Sequence, residues 1–294
     1  MKAIRLVVGD GVGGGLLGGK VAYFIKQAGN FIEILYSSRD ETFRPFKYLL
    51  GDIYPLIQIP EDVQDKIVND EELYLQHKGN YDECYIVIPD HLYRHKYSFD
   101  YKKYNTHPQT IQSHRLFLDK WKPTNKIYIS LSTTTQGYLY SNIGALLRGL
   151  GKVLPNYEIF FPLLRKWNNQ KIDYDDLSNL PPNVEVREDP DFIECIDVLF
   201  TSCLCISTCN GISHMAHSTG IPRILLDPQY GRPAFCRWRE NYDECININT
   251  SVSDIVNLTE TLLEIPQTTL LPRQMILNMI YRNADFKNEL LFKY

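Results

Sequence analysis

Residues 203–227 read CLCISTCNGISHMAHSTGIPRILLD. Within them Asn210, Gly211, Ser213 and His214 fall where an apolar, β-prone run at 204–208 gives way to a short helical stretch at 214–219. Gly220 closes that stretch and Pro222 opens a second buried strand over 223–226. Strand, glycine turn, helix and strand make a βαβ unit. Its turn leaves backbone N–H groups free at a helix N-terminus, where the helix dipole favours an anion. With Asn210, Ser213 and His214 as side-chain donors, one diphosphate could be held there without a metal. The plainer use of the same residues is as caps of an ordinary turn.

The run Asn210-Gly211-Ile212-Ser213-His214-Met215-Ala216, followed by Gly220-Ile221-Pro222, resembles the sugar-nucleotide motif of GT-B glycosyltransferases. It is most similar to the lipopolysaccharide heptosyltransferase type, glycosyltransferase family 9. Asn210 takes the hydroxyl position of that pattern, Gly211 its glycine and His214 its histidine, while Cys209 stands at its leading acidic position. The resemblance implies an α/β chain of two doubly wound Rossmann-like domains facing a cleft. It implies metal-independent, inverting transfer from a nucleotide-diphosphate sugar to a saccharide or glycoconjugate acceptor, with no other cofactor. The resemblance also implies that Glu188, at a strand end, accepts from ribose hydroxyls; the plainer reading is a surface residue near a helix N-cap. Asp227 joins the donor residues. The hydroxyl-rich turn Ser132-Thr133-Thr134 offers a second phosphate seat at a helix start, or a set of caps. Heptosyltransferases carry a basic residue in that loop. None stands here, so Arg232 and Arg237 are the candidate cations.

A second cluster lies at the N-terminus. Gly9, Gly11, Gly13, Gly14, Gly15, Gly18 and Gly19 follow an apolar strand at 3–8 and precede a helix expected over 20–27. Three templates fit, beside the plainer reading of a glycine turn needed for close strand–helix packing. Gly9, Gly11 and Gly14 match the dinucleotide fingerprint, but the next strand, 31–36, ends in Tyr36, Ser37 and Ser38 instead of an acid. Gly14, Gly19 and Lys20 match most of a phosphate-binding NTPase loop, but Val21 replaces the hydroxyl for Mg²⁺. The third is the glycine loop of GT-B enzymes, which gives an acceptor room at Gly13 and Gly14. Gly9-Asp10 matches the heptosyltransferase Gly-Asp pair, which makes Asp10 the first candidate base. Asp90 is the second; with His91 it lies just beyond a strand at 85–89, where open α/β sheets place ligands. The following segment interleaves Tyr93, Tyr97, Phe99, Tyr101 and Tyr104 with Arg94, Lys96, Lys102 and Lys103. Tyr97 and Tyr101 could stack on an acceptor, or the tyrosines could pack on their own domain.

These clusters need a frame to hold them. Further strands are expected at 53–59, 126–130, 157–161 and 183–187, and helices at 61–76, 110–121, 140–154, 191–200, 253–264 and 274–292. The polar stretch Lys122-Pro123-Thr124-Asn125 marks the expected boundary. That gives an acceptor domain over 1–122, a donor domain over 123–275 and a final helix over 276–294 returning to the first. With 294 residues the chain can bury a full core. A net charge of −4 offers no polycation for nucleic acid, and no apolar run of 18 residues appears. Seven cysteines without framework spacing fit a reducing compartment, and Cys203, Cys205 and Cys209 read as buried thiols and not metal ligands. The expected place is the cytoplasm, with at most peripheral contact at the inner face of a membrane. Two other classes stay open: an NTPase or kinase built on Gly14–Lys20, and a GT-B-shaped binder without transferase activity.

Overall fold

Most strands are short runs of apolar, largely β-branched or aromatic residues, and several are buried along nearly their whole length. That suits parallel sheets covered by helices on both faces. The computed structural model describes residues 1–9, 11–87, 96–131, 140–164, 177–208, 210–227, 243–247 and 249–264. The chain divides into two compact units, Met1–Leu116 and Phe117–Tyr294. Among the described residues no helix is long and apolar enough to cross a membrane.

The first unit runs β1 (Ala3–Val8), α1 (Val12–Gln27), β2 (Phe31–Ser37), α2 (Asp40–Leu50), β3 (Leu56–Ile59), α3 (Val63–Ile67), α4 (Glu71–Lys78), β4 (Glu83–Val87) and α5 (Pro108–Ser113). Its parallel sheet has the order β3-β2-β1-β4. The chain therefore builds outward from β1 through β2 to β3, then crosses to the other side of β1 for β4. The order reverses between β1 and β4, and that is where doubly wound sheets bind ligands.

The glycine stretch is not a loop. Helix α1 begins at Val12 and takes in Gly13, Gly14, Gly15, Gly18 and Gly19. Each glycine lowers intrinsic helix stability by roughly 1 kcal/mol against alanine, but close packing overrides that. A Cβ on Gly15 would lie 2.9 Å from the Phe46 ring, one on Gly18 2.5 Å from Val8 Cγ2, and one on Gly19 2.7 Å from Leu50 Cδ1. The helix sits too near β1 and α2 to carry side chains there. Only Gly11, with φ 87°, needs glycine for its backbone. The expected helix at 61–76 is likewise two, because Asp70 ends one run and caps the next by accepting from Leu73 N at 2.9 Å. Helix α2 has no counterpart in the sequence expectations.

In the second unit a 3₁₀ turn at Leu118–Lys120 leads to β5 (Lys126–Ser130), α6 (Ile143–Val153), β6 (Glu158–Leu163), β7 (Val184–Glu188), α7 (Phe192–Phe200), β8 (Leu204–Thr208), α8 (Gly211–Thr219), β9 (Arg223–Asp227), β10 (Asp243–Asn247) and α9 (Val252–Glu264). The sheet is parallel, in the order β10-β9-β8-β5-β6-β7. Here the order reverses between β5 and β8. Ile127, Ile129, Leu204, Ile206, Leu146, Leu147, Leu150 and Ile255 meet in one core under α6 and α9. The polar stretch at 122–125 is fastened to this unit: Lys122 N donates to Phe200 O at 2.9 Å and Thr124 N to Thr201 O at 2.8 Å.

Candidate functional site

The reversal between β5 and β8 is bridged by one side chain. Asn210, extended at φ −153°, is the N-cap of α8, and its Oδ1 accepts from Ser213 N at 3.0 Å. Its Nδ2 donates to Ser130 O at 3.0 Å and to Ser130 Oγ at 2.9 Å. The amide thus ties the end of β5 to the turn after β8. Asn210 was expected to touch a donor through its side chain. Both Nδ2 protons instead hold Ser130, so the residue builds the turn. The first N–H groups of a helix have no intrahelical partner. Ser213 N is capped, and His214 N reaches Asn210 O at 3.2 Å. The N–H groups of Gly211 and Ile212 remain, at the positive end of the helix dipole.

His214 lies in this first turn, 5% exposed. Bound to the neighbouring Ser213 is a buried cation that sequence reading passed over as the first residue of a strand. Arg223 is 1% exposed, and its Nη1 donates to Ser213 O at 2.7 Å and Ser213 Oγ at 2.8 Å. Because Ser213 Oγ accepts from Arg223, its own proton is left to donate elsewhere. The visible signal was a charged residue heading an otherwise apolar buried run. The far end of α8 is closed as expected: Gly220 adopts φ 88°, and Ile221 N returns to Ala216 O at 3.0 Å.

Glu188 ends β7 and is exposed. Three strand spacings, about 14 Å, separate β7 from β8, so Glu188 and His214 stand at well-separated points of the sheet's edge. Asp227 ends β9, and its side chain lies outside the described residues, as do Ser132, Thr133, Thr134, Cys209, Arg232 and Arg237. No group of three His, Cys, Asp or Glu side chains able to hold a metal gathers among the described residues.

In the first unit Asp10, Asp90 and His91 lie outside the described residues. Gly13 and Gly14, expected in an open loop, are in the first turn of α1, and Gly14 is buried. The NTPase template fails for the same reason. Residues 14–20 are helical, and the buried Lys20 donates from Nζ to Gln112 O at 2.5 Å. The dinucleotide template fails at Tyr36, which is buried and donates to Gly11 O at 2.7 Å.

Tyr97 stacks on Tyr74 with ring centroids 3.6 Å apart, and Tyr101 lies 6.4 Å from the His107 ring. Phe99 is buried and stacks on Tyr104 at 5.0 Å. Lys103 and Lys2 each reach Glu83 at 2.6 Å, and Tyr85 donates to the same carboxylate. Burial pushes the Glu83 carboxyl up, but hydrogen bonds from Lys103, Lys2 and Tyr85 outweigh it and hold the pKa down at about 2. The described part of the aromatic segment is packed on its own unit.

Comparisons with protein-family models and with curated proteins find no match. Solved structures do match in fold. E. coli heptosyltransferase WaaC with ADP aligns at a TM-score of 0.60 and 12% identity, over 88% of this chain and 99% of that one. A glycosyl transferase family 9 protein from Veillonella parvula aligns at 0.58 and 10%, over 96% of each chain. E. coli ADP-heptose lps heptosyltransferase II aligns at 0.53 and 10%, over 90% of this chain and 98% of that one. With its two parallel-sheet units, the chain therefore has the fold of the GT-B glycosyltransferases, heptosyltransferases among them.

Proposed function

We propose that the chain is a glycosyltransferase that moves a sugar from a nucleoside-diphosphate donor to a hydroxyl of a saccharide or glycoconjugate acceptor, with inversion and without a catalytic metal. The observation that carries this reading is the open N-terminus of α8. Gly211 and Ile212 N–H and His214 all belong to its first turn, at the reversal point of a sheet whose fold is shared with a heptosyltransferase solved with ADP. The acceptor oxygen attacks the anomeric carbon as the bond to the diphosphate breaks. Negative charge builds on the leaving diphosphate, and fixed dipoles aimed at it lower the barrier. Ser132, Thr133, Thr134 and Asp227 complete the donor seat, and Glu188 takes the ribose. Asp10 receives the acceptor proton, with Asp90 as the alternative base.

A thermal-shift screen with ADP, UDP, GDP and their sugar conjugates, with and without EDTA, tests the reading. A nucleoside diphosphate at a hundred times its Kd stabilises by about 2.7 kcal/mol. Stabilisation by one nucleotide series, unchanged by EDTA, is expected. A chain that no nucleoside diphosphate stabilises is not this transferase, and a strict need for Mg²⁺ overturns the metal-free mechanism. Cys209, at the acidic position of the heptosyltransferase pattern, favours a second reading: a binder that holds the nucleotide and transfers nothing. Nucleotide binding without sugar transfer from any donor would select it.

A further inference from the structure

The first sheet has its own bridge across its reversal point, and no motif pointed to it. Gln64, in the first turn of α3, is 6% exposed. Its Nε2 donates to Val87 O, the end of β4, at 3.0 Å, and its main-chain N donates to Ser37 Oγ, the end of β2, at 3.3 Å. Its Oε1 presses on Gly9, directly after β1: a Cβ built on Gly9 would lie 1.7 Å from that oxygen. One carboxamide therefore touches the carboxyl ends of both strands that flank the reversal. Asn210 does the same in the second sheet, joining β5 to the turn after β8. Gly9 immediately precedes Asp10, and Val87 stands three residues before Asp90.

We propose that Gln64 is a positioning residue for the acceptor side of the reaction. Its carboxamide fixes the spacing between the strand ends that lead into the two candidate bases. The proposal rests on the transferase reading above. It also explains Gly9 by contact, since any side chain at that position would displace the amide. An interior amide that merely filled space would stabilise the unit and leave turnover alone. One that sets the approach of a base controls kcat, because small misplacements of a reacting group are costly.

The experiment uses the full chain and the nucleotide sugar giving the largest melting shift, with release of its nucleoside diphosphate as the signal. Gln64→Ala and Gly9→Ala should each lower kcat by about 10- to 100-fold, with donor KM within about twofold, as for an interaction that matters only in the transition state. The double variant Gly9→Ala/Gln64→Ala should be no slower than Gln64→Ala alone, because removing the amide makes room for the added methyl. Gln64→Met keeps the volume but cannot donate to Val87; it should fold and show the same loss of kcat, which covers the case in which the alanine variant fails to fold. Wild-type kcat in folded Gln64 variants, or a loss confined to donor KM, overturns the proposal and leaves the transferase reading standing. A wild-type chain that releases no nucleoside diphosphate from any nucleotide sugar overturns both.

Discussion

Replacing Asn210 with aspartate isolates the charge of the candidate diphosphate seat from its architecture. Aspartate is as good an N-cap as asparagine, so the bond from Ser213 N survives. The donor bonds to Ser130 O and Oγ do not, because a carboxylate only accepts. Losing the bond to the carbonyl costs about 1–2 kcal/mol, offset in part by roughly 0.3–1 kcal/mol from a negative charge at the helix N-terminus. The melting midpoint should therefore move little. The ligand effect is larger. A carboxylate about 6 Å from an anion seated on Gly211 and Ile212 N–H repels each unit of its charge by about 3 kcal/mol at an effective dielectric of 20. Asn210→Asp should weaken nucleoside-diphosphate binding about 100-fold, and Asn210→Ser, which keeps a cap without the charge, by less than about tenfold. Calorimetry at low and moderate salt reads both, and the gap between the variants should narrow with salt. If Asn210→Asp binds the diphosphate as tightly as Asn210→Ser, the anion does not sit at this helix end and the donor site must be sought elsewhere.

His214→Ala should weaken nucleoside-diphosphate binding by about 1.5–3 kcal/mol, with no change on adding EDTA; calorimetry showing full affinity in the variant removes His214 from the seat. Gly18→Ala should destabilise the chain by about 1–3 kcal/mol in urea melts, despite alanine's better helix propensity, because its Cβ would fall 2.5 Å from Val8 Cγ2; a gain in stability would show that α1 is not held against β1 at that point. His114 stacks on Tyr23 at 3.8 Å, and burial, assisted by Lys20, pushes its pKa from the ordinary 6.5 to about 4. The neutral ring is the form that suits the fold, so its contribution is complete above pH 6.5 and is lost as pH falls through 4. Discounted for a half-exposed ring, it is about 1–2 kcal/mol. His114→Phe should show a smaller stability difference between pH 7 and pH 4 than the wild type, and an equal difference would refute the assignment.

The frame was more legible than the site, for a physical reason. Apolar runs bounded by turn residues placed β1, β5 and β8 to the residue, and Gly220 marked its helix end by the one backbone conformation that favours glycine. Local pattern failed where tertiary packing outvoted propensity. The glycines of α1 read as a loop because glycine is a poor helix former, and the nearness of Val8, Phe46 and Leu50 that rewards them is not a local property. Helix α2 was hidden by Pro45 in its middle, although Asp40 and Glu41 give it an acidic first turn. The motif at 210–214 was visible, but the roles inside it were not. Asn210 looked like a ligand donor, and only its bonds to Ser130, 80 residues away, show it building the turn. The roles of Arg223 and Gln64 were hidden for the same reason: Arg223 stood out as a charge heading an apolar run, but neither residue's partner could be named from its neighbours in sequence.

The two sheets place the same kind of group at the same kind of position, and the chemistry of an amide accounts for the choice. A strand reversal leaves a carbonyl at the end of one strand and a turn at the end of its neighbour. Val87 O and Gly9 fill those roles in the first unit, and Ser130 O and the Asn210–Ser213 turn fill them in the second. Holding both in the second unit needs a donor and an acceptor on one short side chain; in the first, the same group donates to Val87 O and packs its oxygen against Gly9. A hydroxyl is too short to span the gap, a carboxylate offers no donor, and a lysine or arginine offers no acceptor. Only the carboxamide supplies both without a net charge. That neutrality has consequences for function under the transferase reading. In the second unit it leaves the field at the α8 N-terminus positive for a departing diphosphate. In the first it adds no charge beside the strand ends that lead to Asp10 and Asp90, where a buried carboxylate would raise the pKa of a neighbouring base. A charged residue at either position would give up one half of that bridge as well as change the field, and Asn210→Asp, which keeps the cap from Ser213 N but not the bond to Ser130 O, reads the effect of the charge on the ligand.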